Sequence, residues 1–334
     1  MTTAIQQATG AAHTGLLGLG VYRPSRRITN AEICENIDST DEWIRTRSGI
    51  IERRWADEGE TVVSMAVASA KEALDHAGVA PQQIGCVLVA TVTHMLQTPA
   101  AAPLVATELG AFPAAAFDIS AACAGFCYGV GLASDMVRAG TAKYVLVIGV
   151  ERLSDITDPH DRTTAFLFAD GAGAVVVGPT DEPGIGPVVW GSDGEKFDLI
   201  AQKEDWRDVV QAERAFMPHL RMDGNPVFRW ASFAMAKVGR EALDVAGITP
   251  DELRAFIPHQ ANMRIVDAMA RTLRLSDHVA IARDIAYQGN TSAASIPLAM
   301  DRLLVDGESR SGDTALLIAF GAGLTYAAQV VKIP

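Results

Sequence analysis

Cys123 lies in the run Asp118-Ile119-Ser120-Ala121-Ala122-Cys123-Ala124-Gly125-Phe126, among side chains too small to shield a thiol. The pattern predicts a strand over 116–119 and an amphipathic helix over 126–139, which puts the thiol at a helix N-terminus. Unpaired N–H groups there favour negative charge, so the thiol pKa is expected to fall and the sulfur to act as a nucleophile. The ordinary fate of an intracellular cysteine is a small buried hydrophobe, and Cys34, Cys86 and Cys127 keep that reading. Cys127 follows Cys123 by one helical turn and is expected to pack inward; a metal pair would need further ligands.

Two other segments add to the thiol. Phe256-Ile257-Pro258-His259-Gln260-Ala261-Asn262 sets a histidine at the end of an apolar run, and Gly289-Asn290-Thr291-Ser292 supplies a carboxamide. Alone, the first is an ordinary histidine and the second an ordinary turn. With Cys123 they form a set that can accept an acyl group and then stabilise developing negative charge with donors from His259 Nε2 and Asn290 Nδ2. Phe320-Gly321-Ala322-Gly323-Leu324 follows the apolar run 315–319 and is a candidate oxyanion loop, since a tight Gly-rich turn can aim backbone N–H groups into a cleft. A plain strand turn, as at Gly171-Ala172-Gly173, is the competing reading. No dinucleotide fingerprint or phosphate loop is present, so NAD and ATP are not indicated.

The elements that must position these residues read as α/β. Apolar β-branched runs at 87–90, 144–148 and 174–177 alternate with Ala-rich amphipathic stretches such as 62–77 and 126–139. Runs without polar alternation suit strands buried on both faces by helices. Residues 72–81, Glu-Ala-Leu-Asp-His-Ala-Gly-Val-Ala-Pro, return at 241–250 as Glu-Ala-Leu-Asp-Val-Ala-Gly-Ile-Thr-Pro, which indicates an internal duplication. In each copy the Gly ends a helix and the Pro opens the next turn. The repeat offset projects Cys123 onto Ser292. The boundary between halves is expected in the turn-rich stretch 179–184, giving a tail over 1–13, a half over 14–180 with Cys123, and a half over 181–334 with His259 and Asn290.

Bulk properties agree with a globular enzyme. The 334 residues are 49% apolar, and the net charge of −12, from 28 basic against 40 acidic residues, disfavours nucleic acid. Four irregularly spaced cysteines point to a reducing cytoplasm, and glycines at 15, 18 and 20 break the first apolar stretch, so neither a signal peptide nor a membrane span is expected.

Four ordered motifs carry a family resemblance: Asp41-Glu42-Trp43-Ile44-Arg45-Thr46-Arg47-Ser48-Gly49-Ile50, Ala122-Cys123-Ala124-Gly125-Phe126, His259-Gln260-Ala261-Asn262, and Gly289-Asn290-Thr291-Ser292-Ala293-Ala294-Ser295. Through them the chain, from about residue 15 to its end, closely resembles the type III β-ketoacyl-acyl carrier protein synthases, the priming condensing enzymes of fatty-acid synthesis in the thiolase-fold superfamily. Its wording is similar to that of actinobacterial members. The resemblance implies a thiolase-like, five-layered αβαβα homodimer with two pseudo-symmetric halves. It implies a ping-pong reaction: Cys123 takes an acyl group from acyl-CoA, then malonyl-acyl carrier protein enters, decarboxylates and attacks the thioester. His259 and Asn290 would hold the malonyl thioester oxygen, and the N–H groups of Cys123 and Ala322 the oxyanion. Many relatives have glycine where Ala322 stands, a change that leaves the N–H in place. No cofactor or metal is implied beyond the CoA and carrier-protein substrates.

By the same resemblance, Trp43 and Arg162 sandwich the CoA adenine, Arg47 meets its phosphates and Asn225 lies along pantetheine. Thr98 takes the position whose size sets acyl-pocket depth, so primers larger than acetyl are expected. Arg264, Arg271 and Arg274 fall within about 80° on a helical wheel. With Arg229 and Gln260 they form the expected face for an acidic carrier protein, against the alternative of a solvated charged surface.

Rival activities lack parts. A cysteine hydrolase would share Cys, His and Asn, but the papain-type signature is missing. A thiolase would need a second cysteine near the C-terminus, and none follows Cys127. Elongating synthases carry a second histidine where Asn290 stands, and a non-catalytic chain-length partner would have lost Cys123. Priming of a polyketide pathway, or acyl transfer within one, remains the alternative.

Overall fold

The computed structural model describes residues 5, 6 and 8–334. The repeated segment builds the same corner twice. Helix Val62–Ala77 stops at Gly78 with φ 62°, and helix Gly224–Ala246 stops at Gly247 with φ 66°, left-handed conformations that glycine adopts without strain. After each, a proline opens a short turn whose last residue caps it: Gln83 Oε1 accepts the Ala80 N–H at 2.9 Å, and Glu252 Oε2 the Thr249 N–H at 2.8 Å. The next strand follows directly, Ile84–Ala90 in one half and Ala255–Pro258 in the other.

Each half closes on a five-stranded sheet. The first runs His13–Tyr22, Asp170–Thr180, Tyr144–Arg152, Ile84–Ala90, Ala115–Ile119. The second runs Val189–Ser192, Thr325–Lys332, Thr314–Phe320, Ala255–Pro258, Ala280–Ile281. Ranked in chain order, both read 1-5-4-2-3, with the first two pairings antiparallel and the last two parallel. The last strand of the first sheet ends at Thr180 and the second sheet opens at Val189.

Alternating strand residues define the layers. Cys86 and Leu88 face a central cluster with Cys127, Val130 and Met300, from helices Gly125–Ala139 and Ser295–Val305. Val87 and Val89 face the opposite way, onto Met65 and Ala70 of Val62–Ala77. In the second sheet, Leu317 and Ala319 join the central cluster, while Leu316 and Ile318 pack on Met235 of Gly224–Ala246 and Met269 of helix Met263–Leu273. The result is the five-layered αβαβα arrangement with two similar halves.

Over one end sits a cap formed by the ribbon Arg26–Thr29/Glu52–Trp55, helix Asp41–Ser48 and residues 153–168. Arg53, fully buried, ties it down by donating to Ile28 O at 3.1 Å, Asn30 Oδ1 at 2.7 Å and Phe166 O at 2.9 Å. Among the described residues no helix is long and apolar enough to cross a membrane.

The expected tail over 1–13 falls partly outside the described residues. Where described, it is attached at its far end: Ala11 N–H donates to Val137 O at 3.2 Å, Gly10 lies against the Gly140 turn, and the first strand already begins at His13.

A buried ion pair joins the halves beside the Asn290 loop. Arg23 Nη1 meets Asp284 at 2.7 Å and Gln288 Oε1 at 3.0 Å, and its Nη2 reaches Leu298 O at 2.7 Å and Asp301 at 3.2 Å. The Asp284 side chain is 1% exposed. Arg23→Met would leave that carboxylate buried with, among the described residues, only Arg302, at 3.4 Å, to face it. A stability loss of about 3 kcal/mol in urea unfolding at neutral pH is expected; a loss under about 1 kcal/mol would show that the pair does not fasten the halves.

Candidate active site

Cys123 sits in the turn Ala122–Ala124, immediately before helix Gly125–Ala139, with Ala122 held at φ 45°. The 321–323 turn presses directly on it. A Cβ on Gly321 would stand 2.8 Å from Cys123 Cβ and 3.0 Å from its Sγ, so only glycine fits. Thr325 Oγ1 secures the two turns by donating to Ala121 O at 3.0 Å and Ala322 O at 3.1 Å. Cys123 and Ala322 each lie at the start of a short 3₁₀ turn, where N–H groups lack acceptors within the turn, and both line the same cavity.

The thiol departs from the sequence expectation of a lowered pKa. Cys123 is open only towards the cavity, and burial pushes it up to about 12, against a smaller lowering from the Ser292 hydroxyl. A position near a helix start does not outweigh removal from water, so the sulfur rests as a thiol. Cys86 and Cys127 are fully buried in the central layer, and Cys34 is half-buried in the cap.

His259 follows strand Ala255–Pro258 and is 2% exposed. Its N–H donates to Ile318 O at 2.7 Å, its ring edge meets Phe320 at 5.3 Å, and its Nδ1 lies 2.7 Å from Ser295 Oγ. Burial lowers its pKa to about 3, so the imidazole is neutral. Asn290 is pinned to the first half by its own N–H to Leu167 O and by Ala169 N–H to its carbonyl, both 2.9 Å. Its Oδ1 accepts the Ser292 N–H at 2.9 Å, which leaves Nδ2 as the donor end of an amide that lines the cavity.

The pseudo-symmetric match is shifted by one residue from the projected Ser292. Ser292, at φ 48°, opens the turn Ser292–Ala294 as Ala122 opens Ala122–Ala124, so Cys123 corresponds to Ala293. The copies keep one offset through the helix-Gly-Pro corner, and the second half carries one more residue before its turn. Two contributors to the site were not picked out from the sequence. Ser295, the neighbour of His259, starts the helix that matches Gly125–Ala139. Glu151 is a fully buried carboxylate that accepts from Ser292 Oγ at 3.1 Å. The signal for Glu151 was available: it is the one acid near the end of the apolar run 144–150.

A cavity of about 640 Å³ contains Cys123, His259, Asn290 and Ala322, and opens past Trp43, Arg47, Arg162, Asn225 and Arg264. Trp43 also meets Phe166 edge-on at 5.3 Å. Arg162 does not wait at a distance from Trp43: its guanidinium lies 4.9 Å from the ring centroid, a direct cation–π contact that leaves no space for a base until Arg162 turns out. Arg47 is exposed, 5.9 Å from the same ring, and Asn225 is exposed in the first turn of Gly224–Ala246.

Three other expectations are corrected. Gln260 is 1% exposed, with Nε2 donating to Pro258 O and Ala282 O and Oε1 accepting the Ile285 N–H, so it braces the His259 loop and cannot meet a carrier protein. Arg274 leaves the basic stripe because helix Met263–Leu273 has ended and Arg274 caps it at φ 57°. Thr98 lies exposed on the outer loop 92–99 and does not line the cavity of its own chain, whose apolar lining includes Leu153, Ile156, Phe166 and Leu220. Arg229, Arg264 and Arg271 are exposed, with Arg264 4.8 Å over the Phe228 ring at the cavity mouth.

Comparison with known proteins agrees with this geometry. The family profile of 3-oxoacyl-(acyl-carrier-protein) synthase III matches residues 117–194, and that of its C-terminal part matches residues 243–333. The chain is 57% identical to beta-ketoacyl-(acyl-carrier-protein) synthase III of Streptomyces glaucescens, covering 99% of each. It is 54% identical to the mycobacterial beta-ketoacyl-(acyl-carrier-protein) synthase III of Mycobacterium avium, covering 99% of this chain and 98% of that relative. The crystal structure of the priming beta-ketosynthase from the R1128 polyketide biosynthetic pathway superposes with a TM-score of 0.96 at 47% identity, over 99% of each chain. With both parts of the family matched and relatives alike from end to end, the chain belongs to the 3-oxoacyl-(acyl-carrier-protein) synthase III family of thiolase-fold condensing enzymes.

Proposed function

We propose that this chain catalyses the condensation of an acyl-CoA primer with malonyl-acyl carrier protein to give β-ketoacyl-acyl carrier protein, CO2 and CoA, the reaction that initiates fatty-acid synthesis. The observation that carries this reading is one cavity holding a thiol, a neutral imidazole and a carboxamide, with two backbone N–H groups beside the thiol. In the first half-reaction Cys123 sulfur adds to the acyl-CoA carbonyl, whose oxygen rests on the Cys123 and Ala322 N–H groups, and CoA departs.

In the second, His259 and Asn290 act on the malonyl thioester. Ser295 has one hydroxyl proton. Its Oγ accepts the Gln260 N–H at 3.3 Å and lies 2.7 Å from His259 Nδ1; given to Nδ1, that proton keeps the imidazole hydrogen on Nε2, the tautomer this step requires. Nε2–H and Asn290 Nδ2–H then hold the thioester oxygen as CO2 leaves and enolate charge grows. Neutral donors suit this step: a cationic imidazolium would pair with the malonyl carboxylate and stabilise the ground state instead. The carbanion attacks the Cys123 thioester, and the reaction uses no cofactor beyond its substrates.

Arg264 at the mouth, with the exposed Arg229 and Arg271, suits the acidic surface of a carrier protein. A homodimer is supported by the edge strand Ala115–Ile119, which exposes Phe117, and by the exposed apolar side chains Val92, Met95, Leu96 and Phe112 of the segments flanking it. A cytoplasmic setting provides both thioesters and keeps Cys123 reduced. A cavity of about 640 Å³ with this apolar lining supports primers larger than acetyl, branched or longer. Priming of a polyketide pathway is a second reading, favoured by the likeness to the R1128 priming ketosynthase; it uses the same chemistry and differs in primer and carrier.

Three outcomes test these assignments. Intact-mass measurement after exposure to acetyl-, isobutyryl- and lauroyl-CoA should show acyl adducts that vanish in Cys123→Ala and persist in Asn290→Ala, whose malonyl decarboxylation is impaired; strict acetyl preference would contradict the pocket reading. Ser295→Ala should keep acylation but slow decarboxylation about 5- to 150-fold, the cost of leaving a buried partner unmatched. Because His259 is held neutral far below its ordinary pKa of 6.5, malonyl decarboxylation by Cys123→Ala should show no inflection near pH 6.5; a fall in rate there would mean that the imidazole titrates in the working range.

A further inference from the structure

We propose that Glu151 receives the Cys123 thiol proton through Ser292 and stores it until condensation returns the sulfur. The proposal rests on the reading of Cys123 as the acyl acceptor and extends it to the proton that must leave. Burial keeps that sulfur protonated at rest, and the neutral His259 is occupied by Ser295 on one nitrogen and assigned to the malonyl oxygen on the other.

The geometry is directional. Glu151 Oε2 is saturated, accepting from Thr93 Oγ1 at 2.7 Å, Val92 N at 3.1 Å and Thr91 Oγ1 at 3.2 Å. Oε1 faces Ser292 Oγ at 3.1 Å. Ser292 in turn stands beside the Cys123 thiol, whose pKa its hydroxyl influences, and both residues line the cavity. Ser292 donates to the carboxylate, so its lone pairs are offered to the thiol, which gives the chain Sγ–H to Oγ–H to Oε1. Glu151 is 0% exposed, next to last in a strand that is apolar up to Val150, with no cation as its partner among the described residues. The guanidinium of its neighbour Arg152 meets Asp155 at 3.2 Å and donates to Glu60 O. A buried carboxylate without a cation is costly to keep ionised. Burial raises its pKa to about 7, where both protonation states are accessible near neutrality. The titratable group facing it across Ser292 is Cys123.

The protons balance. As the Cys123 sulfur bonds to the acyl carbon, its proton passes to Ser292 Oγ and the serine proton to Oε1; the C–S bond to CoA breaks and CoA leaves as its thiolate. In the second half-reaction the enolate, formed with loss of CO2, attacks the acyl carbon and expels the Cys123 thiolate, which recovers the proton from Glu151 by the reverse path. Glu151 touches no substrate and acts only through Ser292.

The test is the pH profile of Cys123 alkylation by iodoacetamide in the intact protein, which needs no acyl substrate and so remains informative if the proposed condensation is wrong. Glu151→Gln keeps an acceptor for Thr93 and Val92 but turns an N–H towards Ser292, which blocks the transfer. Alkylation at pH 7 should slow at least about tenfold, with its rise moved to more alkaline pH, and Glu151→Asp should restore part of the rate. Ser292→Ala, which leaves the carboxylate in place, should slow it likewise and is the deciding variant if Glu151→Gln does not fold. A bystander role gives the opposite sign: removing a nearby negative charge would lower the thiol pKa and speed alkylation. An unchanged or faster rate in folded Glu151→Gln, or an unchanged profile in Ser292→Ala, overturns the proposal.

Discussion

Gly149 has no room for a methyl group: a Cβ there would lie 2.2 Å from the carbonyl oxygen of Ala293 and 3.1 Å from Ala294 N. Gly125 is nearly as tight, with Ala90 Cβ 2.8 Å from its own Cβ position and Ala293 next. These contacts let the turn after Asn290 rest directly on the central strand of the first half and on the start of the nucleophile helix. Every distance in the site depends on that approach. The Asn290 backbone can then pair with Leu167 and Ala169, and Ser292 can reach Glu151. Gly321 performs the same service from the other side, bringing the Ala322 turn against Cys123. Three glycines without side chains thus set the spacing of the groups that have them.

The second constraint is electrical. Cys123, His259 and Asn290 reach the cavity uncharged, the first two because burial disfavours their ionised forms. The substrate carboxylate therefore meets fixed dipoles rather than a counter-ion, and those dipoles oppose little reorganisation as charge moves onto the thioester oxygen. The exposed guanidinium groups of Arg47, Arg162 and Arg264 stand at the mouth, and the buried Glu151 carboxylate is set behind Ser292. The division matches the two halves of the chain, since the sulfur comes from the first and the imidazole and amide from the second.

Much of this was legible in the sequence because it rests on residue type and local grammar. The duplicated Gly-Pro corner reported a helix C-cap followed by a capped turn, and the structure repeats that corner with matching dihedrals. Apolar runs without alternation reported strands covered on both faces. What the sequence hid depends on long-range packing. Whether Gln260 points outwards, whether helix Met263–Leu273 lasts to Arg274, and on which side of the wall Thr98 falls are decided by contacts far along the chain. The thiol pKa was misjudged for the same reason: a helix start is a local feature, whereas desolvation is the sum of everything around it. Glu151 drew no reading from the sequence because its partners, Thr93 and Ser292, come from distant segments.

The central claim is that the two halves divide the reaction, one holding the acyl group and the other the enolate. The most direct measurement is a crystal structure of the Cys123 acyl-enzyme with a malonyl thioester analogue that cannot lose CO2. The analogue's thioester oxygen should lie about 2.6–3.2 Å from both His259 Nε2 and Asn290 Nδ2, with the acyl oxygen on the Cys123 and Ala322 N–H groups. A thioester oxygen that misses both side chains, or an analogue carboxylate paired with a charged His259, would contradict the account.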